Sequence, residues 1–244
     1  MSLKGYVREQ LFQAGYDLRR RRKDGMGFNP YWDMRHLTVN NSHAMLFDIG
    51  ANTGQTIAEF RKRFDKPIIH AFEPSPSTYA KLTAQTNGTP DLYVRNFALG
   101  ATNDQRVLLE NSIPTLTSFL PPGEACWGEV VNQTHVEVHS LDSYCGDRAI
   151  THIDVLKSDT QGFDLEVLKG GIGLLTEHRV HLVFTELNFC QIYQGMARFE
   201  EIYFFLRDLG FMPVAFYNQH VRDSSLGWAD GLFVDPEYHT RSSM

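Results

Sequence analysis

The sequence has few cysteines, no excess of basic residues and no long apolar run, and each of these absences excludes a class of protein. Cys126, Cys145 and Cys190 are scattered over 244 residues without a C-x-x-C pair, which argues against a disulfide framework or a cysteine zinc site. A formal net charge of −6 argues against non-specific nucleic-acid binding. No apolar run has the length of a membrane span, and the N-terminus lacks the apolar stretch of a signal peptide. We therefore expect a cytoplasmic protein with reduced thiols, no integral membrane segment and no nucleic-acid partner.

A glycine is also missing where dinucleotide-binding turns need one. Those turns read G-x-G-x-x-G, and the middle glycine lets a pyrophosphate approach the backbone. Here Gly50 and Gly54 flank Asn52, so the middle position carries a side chain. The apolar run at residues 44–49 and the helical pattern of Ile57, Phe60 and Phe64 predict a buried parallel strand, a tight turn and a helix. We expect the turn to present backbone N–H groups to a small anionic or polar ligand.

A carboxylate after the second strand favours a nucleoside cofactor. Residues 67–73 form an apolar run that ends in Glu73, about 20 residues after the turn, where nucleotide-binding folds hold the ribose hydroxyls. S-adenosylmethionine retains a ribose, and the carboxylate of its amino-acid tail needs fewer backbone donors than a pyrophosphate. The sequence therefore favours S-adenosylmethionine over NAD(P). An NAD(P)-binding oxidoreductase and a catalytically inactive cofactor-binding module are the alternatives.

The remaining patterns alternate between strands and helices and predict an α/β fold. Strands are expected at residues 92–100, 106–110, 135–139, 152–159 and 180–186, and an antiparallel pair at 211–217 and 231–234. The irregular stretch 114–133 is expected to be a substrate-side loop. Residues 1–42 are expected to form an N-terminal helix, over about 3–22, and a loop packed on a single domain at 43–244.

Acidic residues stand at the ends of four predicted strands: Asp48, Glu73, Asp159 and Glu186. Ligands of open α/β sheets bind beyond the carboxyl ends of the strands, so four acids on one rim indicate a polar site. Lys157 lies two residues before Asp159 and therefore projects from the same face of the strand. A buried lysine needs an ionic partner, so a structural ion pair and a catalytic role both fit this pattern.

Several stretches together resemble the FkbM family of S-adenosylmethionine-dependent methyltransferases. They are FDIGANTGQ (47–55), AFEP (71–74), NFALG (96–100), SLDSY (140–144), DVLKSDTQG (154–162) and FTE (184–186). The resemblance implies a Rossmann-like, seven-stranded class I methyltransferase sheet, with six parallel strands, one antiparallel strand and helices on both faces. It also implies O-methylation of a hydroxyl on a sugar or secondary metabolite. The acceptor is then a small molecule or a glycan, and a homodimer is a compatible assembly.

The resemblance also implies a set of cofactor-binding residues. Glu73 contacts the ribose, with Pro74 beside it, and Asn96 and Phe97 lie on the adenine side. A capping amide in a turn is the alternative role for Asn96. The other members of the set are Asp48, Gly50, Ala51, Asn52, Gly54, Gln55 and Asp159. The family commonly has an acid where this chain has Gln161, so no role is assigned to a pair of acids there.

Methyl transfer to an alcohol needs a group that removes the hydroxyl proton as the oxygen attacks. The hypothesis from the sequence is that Asp159 is this base or positions the hydroxyl, with Lys157 and Glu186 shaping its ionisation. His139 and His152 are rival bases. The acids lack the spacings typical of metal ligands, so no metal is expected, although a Mg²⁺ held by Asp159 and Glu186 is compatible with them.

Overall fold

The computed structural model describes residues 3–16, 25–38 and 42–238. Its α-helices are α1 (Leu3–Gln13), α2 (Pro30–Leu37), α3 (Gln55–Arg63), α4 (Pro76–Thr86), α5 (Leu141–Asp147), α6 (Asp164–Gly170), α7 (Ile172–Thr176) and α8 (Phe199–Asp208). Its strands are β1 (Met45–Ile49), β2 (Ile68–Phe72), β3 (Leu92–Arg95), β4 (Ala98–Leu99), β5 (Asp104–Asn111), β6 (Val130–His139), β7 (Ile153–Ser158), β8 (Val180–Asn188), β9 (Met212–Arg222) and β10 (Ser225–Val234). A short 3-10 helix spans Pro114–Leu116.

Seven strands form one sheet in the order β3-β2-β1-β7-β8-β10-β9. β3, β2, β1, β7 and β8 are parallel neighbours, whereas β10 is antiparallel to both β8 and β9. Six strands therefore run in one direction and one runs against them, which confirms the predicted sheet.

Helices cover both faces of this sheet, as predicted, because its central strands are apolar on both sides. Every residue of β7 is buried, as expected of a parallel strand between two helical layers. On one face the apolar residues of α5 to α8 pack on side chains such as Phe47 and Leu156. On the other face α2 and α3 pack on side chains such as Leu46 and Val155. Alternate residues of one strand thus belong to two different cores.

The predicted strand at residues 92–100 is divided into β3 and β4. β3 ends the large sheet, whereas β4 pairs with β6 in a separate three-stranded sheet of order β4-β6-β5. β5 and β6 are also longer than predicted, and the residues between them are 112–129. The end of the predicted irregular stretch 114–133 therefore belongs to β6. Most of β6 is exposed, so its first half carries no apolar alternation that could have marked it as a strand.

The second helix, and not the first, packs on the core. α2 buries Pro30, Asp33 and Met34, whereas α1 buries none of its residues. The expectation that the first helix packs on the domain is therefore wrong for residues 3–13. The rest of that predicted helix, residues 17–22, and its basic run Arg19–Lys23 lie outside the described residues. No helix within the described ranges is long and apolar enough to cross a membrane.

Candidate functional site

Two adjoining cavities lie beyond the carboxyl ends of β1, β2, β7 and β8, where open α/β sheets bind ligands. We name them the Glu73 cavity and the Glu186 cavity after one carboxyl group in each. Gly50, Asn52, Thr115 and Asp159 line both. The Glu73 cavity is otherwise walled mainly by apolar side chains: Ile49, Phe72, Pro74, Leu99, Leu108, Phe119 and Phe163. Carboxyl, amide and hydroxyl groups dominate the Glu186 cavity: Tyr31, Gln55, Thr56, Glu186, Asn218 and Asp230.

Glu73 is held by backbone hydrogen bonds at the wall between the turn and the second strand. The Asn52 N–H donates to Glu73 Oε2 at 2.9 Å, and the Ser75 N–H donates to Oε1 at 2.9 Å. Burial raises the pKa of Glu73 to about 7, and these two N–H groups offset part of the rise. A carboxylate has about four lone-pair sites, so two remain to accept hydrogen bonds from a ligand.

The turn after β1 has left-handed backbone at each of its three recurring positions. Gly50, Asn52 and Gly54 have φ of 77°, 47° and 94°, and asparagine tolerates this region better than most residues with a side chain. A Cβ on Gly50 would lie 2.0 Å from the backbone oxygen of Asp159. Glycine at position 50 therefore allows the ends of β1 and β7 to approach each other.

The N–H groups of this turn are used inside the protein. Gly50 and Ala51 donate to the carbonyl oxygen of Phe72, Gly54 donates to Ala51, and Asn52 donates to Glu73. The expectation that the turn presents its N–H groups to a ligand is therefore wrong for these four. The reason is that the turn must be tied to the end of β2, and its own donors form that tie.

Lys157 forms an ion pair beneath the cavities. Its Nζ lies 2.9 Å from Asp48 Oδ1 and 3.8 Å from Asp159 Oδ2. Burial raises the pKa of Asp48, and the Lys157 ammonium offsets part of this rise. Burial acts to lower the pKa of Lys157, but Asp48 and Asp159 outweigh it and raise that pKa. Lys157 therefore stays positively charged. The same ammonium group holds Asp48 and Asp159 in place and supplies a positive charge beside the cavities.

Both oxygens of Asp159 have partners. Lys157 faces Oδ2, and Gln161 Nε2 donates to Oδ1 at 2.8 Å. The other end of the Gln161 amide accepts from the Tyr193 hydroxyl at 2.9 Å. The amide thus bridges Asp159 to the core, whereas an acid at position 161 would repel Asp159.

Glu186 and Asp230 face each other as partners in the β8–β10 ladder. Asn188 Nδ2 donates to Glu186 Oε2 at 3.0 Å, and Asn218 Nδ2 donates to Asp230 Oδ2 at 2.6 Å. Burial raises the pKa of Glu186 well above its usual value, and Asp159 and Asp164 raise it further. Burial also raises the pKa of Asp230, to about 6. Two carboxyl groups with elevated pKa values therefore share one polar cavity.

The cavities bring together most, but not all, of the residues selected from the sequence. Gly50, Ala51, Asn52, Gln55, Glu73, Pro74, Lys157, Asp159 and Glu186 line one cavity or both. Four others line neither: Asp48, Gly54, Asn96 and Phe97. The Asn96 amide donates to the carbonyl oxygens of Glu73 and Pro74, and so serves as the turn-capping amide. Phe97 packs on Phe72 and His139.

Neither rival histidine lines a cavity. The His139 ring packs at a tilt against Phe97, and its Nε2 lies 3.4 Å from Glu137 Oε2. His152 directly precedes β7, so it lies at the edge of the sheet opposite to the cavities. Among the described residues, no group of three or more His, Cys, Asp or Glu could hold a metal ion.

Sequence reasoning missed Tyr31, Asn218 and Asp230, which all line the Glu186 cavity. Asp230 lies midway along β10, opposite Glu186 near the carboxyl end of β8, and not at the end of a parallel strand. Because β10 is antiparallel to β8, its beginning lies at the edge where the parallel strands end. That relation follows from the predicted antiparallel pair and could have identified Asp230. No local signal marks Tyr31, since its place depends on how α2 packs.

Comparison with known proteins gives concordant results. The family model for the methyltransferase FkbM domain matches residues 48–213. The 2-O-methyltransferase NoeI of Sinorhizobium fredii is 26% identical over 167 residues, which are 62% of this chain and 66% of that protein, just under two thirds. The crystal structure of a methyltransferase FkbM from Methylobacillus flagellatus is 17% identical, with a TM-score of 0.51. That match covers 85% of this chain but 48% of the other, and it shows a common class I methyltransferase fold.

Proposed function

The chain belongs to the FkbM family of methyltransferases, and we propose that it methylates a hydroxyl oxygen of a sugar-like or secondary-metabolite acceptor with S-adenosylmethionine. The observation that carries the proposal is the pair of adjoining cavities that share Gly50, Asn52 and Asp159. One suits a nucleoside and the other suits a polar acceptor. Transfer between two bound molecules requires neighbouring sites of this kind.

The residues of the Glu73 cavity fit S-adenosylmethionine. The two lone-pair sites that remain on Glu73 match the two hydroxyls of a ribose. Apolar and aromatic side chains, including Phe72, Phe119 and Phe163, wall the rest and suit a flat base. When bound, the cofactor supplies an electrophilic methyl carbon on a sulfonium.

The residues of the Glu186 cavity fit a hydroxylated acceptor. Carboxyl, amide and hydroxyl groups can bind several hydroxyls at once, and Asp159, Lys157 and Glu186, selected from the sequence, lie among them. The name of the similar NoeI protein describes a 2-O-methyltransferase, which supports an oxygen acceptor. A small-molecule or glycan acceptor, a homodimer and a cytoplasmic location all stay predictions.

The turn argues against NAD(P) as the cofactor. Asn52 carries a side chain where a pyrophosphate needs glycine, and the N–H groups of Gly50, Ala51, Asn52 and Gly54 bond within the protein. A pyrophosphate would find few of the donors that it requires.

Calorimetric titration with S-adenosylhomocysteine and with NAD⁺ tests the cofactor. We expect micromolar binding of the first and no binding of the second, and loss of binding in Glu73→Ala. The exposed Glu200 at the start of α8 provides the matched control, since Glu200→Ala should retain wild-type affinity. NAD⁺ binding, or binding of neither compound, would overturn the cofactor assignment, whereas binding of S-adenosylhomocysteine without methylation of any acceptor would favour the inactive cofactor-binding module. Detection of methylated product from a panel of methyl pyranosides by mass spectrometry then tests the acceptor.

A further inference from the structure

The Glu186 cavity holds two neighbouring carboxyl groups that suit proton removal better than Asp159 does. Resting on the proposed function, we propose that Asp230 is the general base for the acceptor hydroxyl and that Glu186 hydrogen-bonds the same oxygen. Asn218 and Asn188 are then positioning residues that act through these two carboxyl groups.

The sheet register brings the two carboxyl groups together. Asp230 and Glu186 are directly opposite in the antiparallel β8–β10 ladder. Opposite residues project from the same face, with Cβ atoms about 4.5–5.5 Å apart. Both also line the same cavity. One hydroxyl oxygen can therefore reach both groups.

Each carboxyl group is oriented by an amide and keeps one oxygen available. Asn218 Nδ2 donates to Asp230 Oδ2, and Asn188 Nδ2 donates to Glu186 Oε2. No residue within 3–16, 25–38 or 42–238 is seen to donate a hydrogen bond to Asp230 Oδ1 or Glu186 Oε1. The hydrogen bond from the asparagine amide to one carboxyl oxygen fixes the plane of the carboxyl group. The direction of the other oxygen is thereby fixed as well.

Asp159 lacks this freedom. The Lys157 ammonium faces its Oδ2, and the Gln161 amide donates to its Oδ1 at 2.8 Å. A proton transferred to Asp159 would weaken both of these interactions. The structure therefore suits Asp159 to holding Lys157 and Gln161 in place at the wall between the cavities.

The surrounding charges divide the protons between the two groups. Burial raises the pKa of Asp230 to about 6; Asn218 and Lys157 act to lower it, and Asp159 and Asp164 act to raise it. Asp48 and Tyr31 are the other titratable groups near Lys157. The Lys157 ammonium favours the ionised form of Asp230, whereas the charges of Asp159, Asp164 and Asp230 favour the neutral form of Glu186, so we assign the shared proton to Glu186. The ionised group can accept the hydroxyl proton while the neutral one donates to the oxygen.

In the proposed step, the O–H bond of the acceptor breaks and its proton moves to Asp230 Oδ1. The oxygen uses the freed electron pair to bond the methyl carbon. The carbon–sulfur bond breaks, and its electron pair stays on sulfur, which becomes a neutral thioether. Asp230 then releases its proton to water.

The first test is the pH profile of turnover with the methyl pyranoside that is methylated fastest. In the wild type we expect an acid limb near pH 6. Asp230→Asn should lower turnover by about 10²–10⁴-fold and remove the limb, with affinity for S-adenosylhomocysteine unchanged. Asp223→Asn, at the exposed β9–β10 turn, is the matched control and should behave as wild type. The proposal is overturned if Asp230→Asn stays within about threefold of wild type, or if Asp159→Asn removes the limb instead.

The second test needs no turnover. Carboxyl ¹³C NMR with S-adenosylhomocysteine bound should show Asp230 titrating near pH 6, and Asn218→Ala should raise this pKa, because the amide donor stabilises the carboxylate. A purely structural Asn218 would leave the pKa unchanged, and that result would overturn its positioning role. Failure of the proposed function appears separately. Absent cofactor binding removes the cofactor assignment, whereas binding without methylation of any pyranoside removes the sugar-like acceptor and leaves the NMR titration as the test of Asp230.

Discussion

At the scale of single residues, buried ionisable groups set the chemistry of this protein. Lys157 and Asp48 lie 2.9 Å apart and neutralise each other's charge. The carboxyl groups that line the cavities are therefore the main reactive groups. Glu73 is 7% exposed and has a pKa raised to about 7. Burial of a carboxyl group favours its neutral form, which couples the stability of the empty protein to pH.

We predict that the empty protein loses stability as the pH rises from about 4.5 to about 7, in part through Glu73. Its pKa is 4.5 in the reference state and about 7 in the fold, so in this window the folded protein keeps a proton that the unfolded chain has released. Its contribution is therefore complete below about pH 4.5 and is lost as the pH rises through 7, by about 3 kcal/mol at most.

Urea unfolding of wild type and Glu73→Gln at several pH values checks this prediction. The variant cannot ionise at position 73, so its free energy of unfolding should fall less between pH 4.5 and 7. Glu200→Gln, at an exposed site, should keep the wild-type slope. Equal slopes in Glu73→Gln and wild type would show that Glu73 titrates alike in both states.

At the scale of secondary-structure elements, α2 closes the Glu186 cavity although it lies outside the part matched by the family model. Tyr31 lines the cavity and packs edge-on against Phe60 and Phe184. Asp33 ties the helix to β9 by accepting from the Tyr217 hydroxyl at 2.7 Å. The same carboxylate accepts from the Gly27 N–H at 2.6 Å. An element outside the matched region thus shapes the Glu186 cavity.

We predict that Asp33→Ala loosens α2 and raises the KM of the acceptor severalfold, with no change in S-adenosylhomocysteine affinity. The substitution leaves the Tyr217 hydroxyl without its partner, which costs about 1–3 kcal/mol of stability. Calorimetric binding, steady-state kinetics and thermal unfolding measure the three quantities. Either Asp33→Ala or Tyr217→Phe removes the same hydrogen bond. The double variant should therefore lose less free energy of unfolding than the sum of the two single losses. Additive costs, or a loss of cofactor affinity, would contradict this role of α2.

At the scale of the whole molecule, the distribution of charge favours a neutral acceptor. The chain has a net charge of −6, and Asp159, Glu186 and Asp230 line the Glu186 cavity. Its one lysine, Lys157, is already paired with Asp48. An anionic acceptor would bring a further negative charge into this cavity. That charge would lose its hydration and find no free cation among the described residues of the cavity lining.

We predict that a methyl glucuronide is methylated at least about tenfold less efficiently than the matching methyl glucoside, because like charges repel at short range in a poorly solvated site. The ratio of the two kcat/KM values at low and high NaCl concentration measures the effect. Salt should reduce only the part that arises from exposed charges. Equal efficiency, or preference for the glucuronide, would contradict a cavity that selects neutral acceptors.

The sequence by itself determined the sheet and the edge at which the Glu73 cavity lies, because these depend on local signals. Apolar runs ending in Asp48, Glu73 and Asp159 define buried parallel strands, and the rule that ligands bind at their carboxyl ends needs no side-chain packing. Gly50 and Gly54 mark a turn whose left-handed backbone requires such residues. The number of strands and their directions, six parallel and one antiparallel, then followed from the family resemblance.

Only the tertiary structure decided which residues line the Glu186 cavity. Asp230 meets Glu186 through an antiparallel register, and Tyr31 reaches the same cavity from α2. The partners of Asp159, on which its capacity as a base depends, come from Lys157 and from a Gln161 amide turned towards it. Such contacts arise from packing between segments distant in sequence, and spacing along the chain carries no information about them.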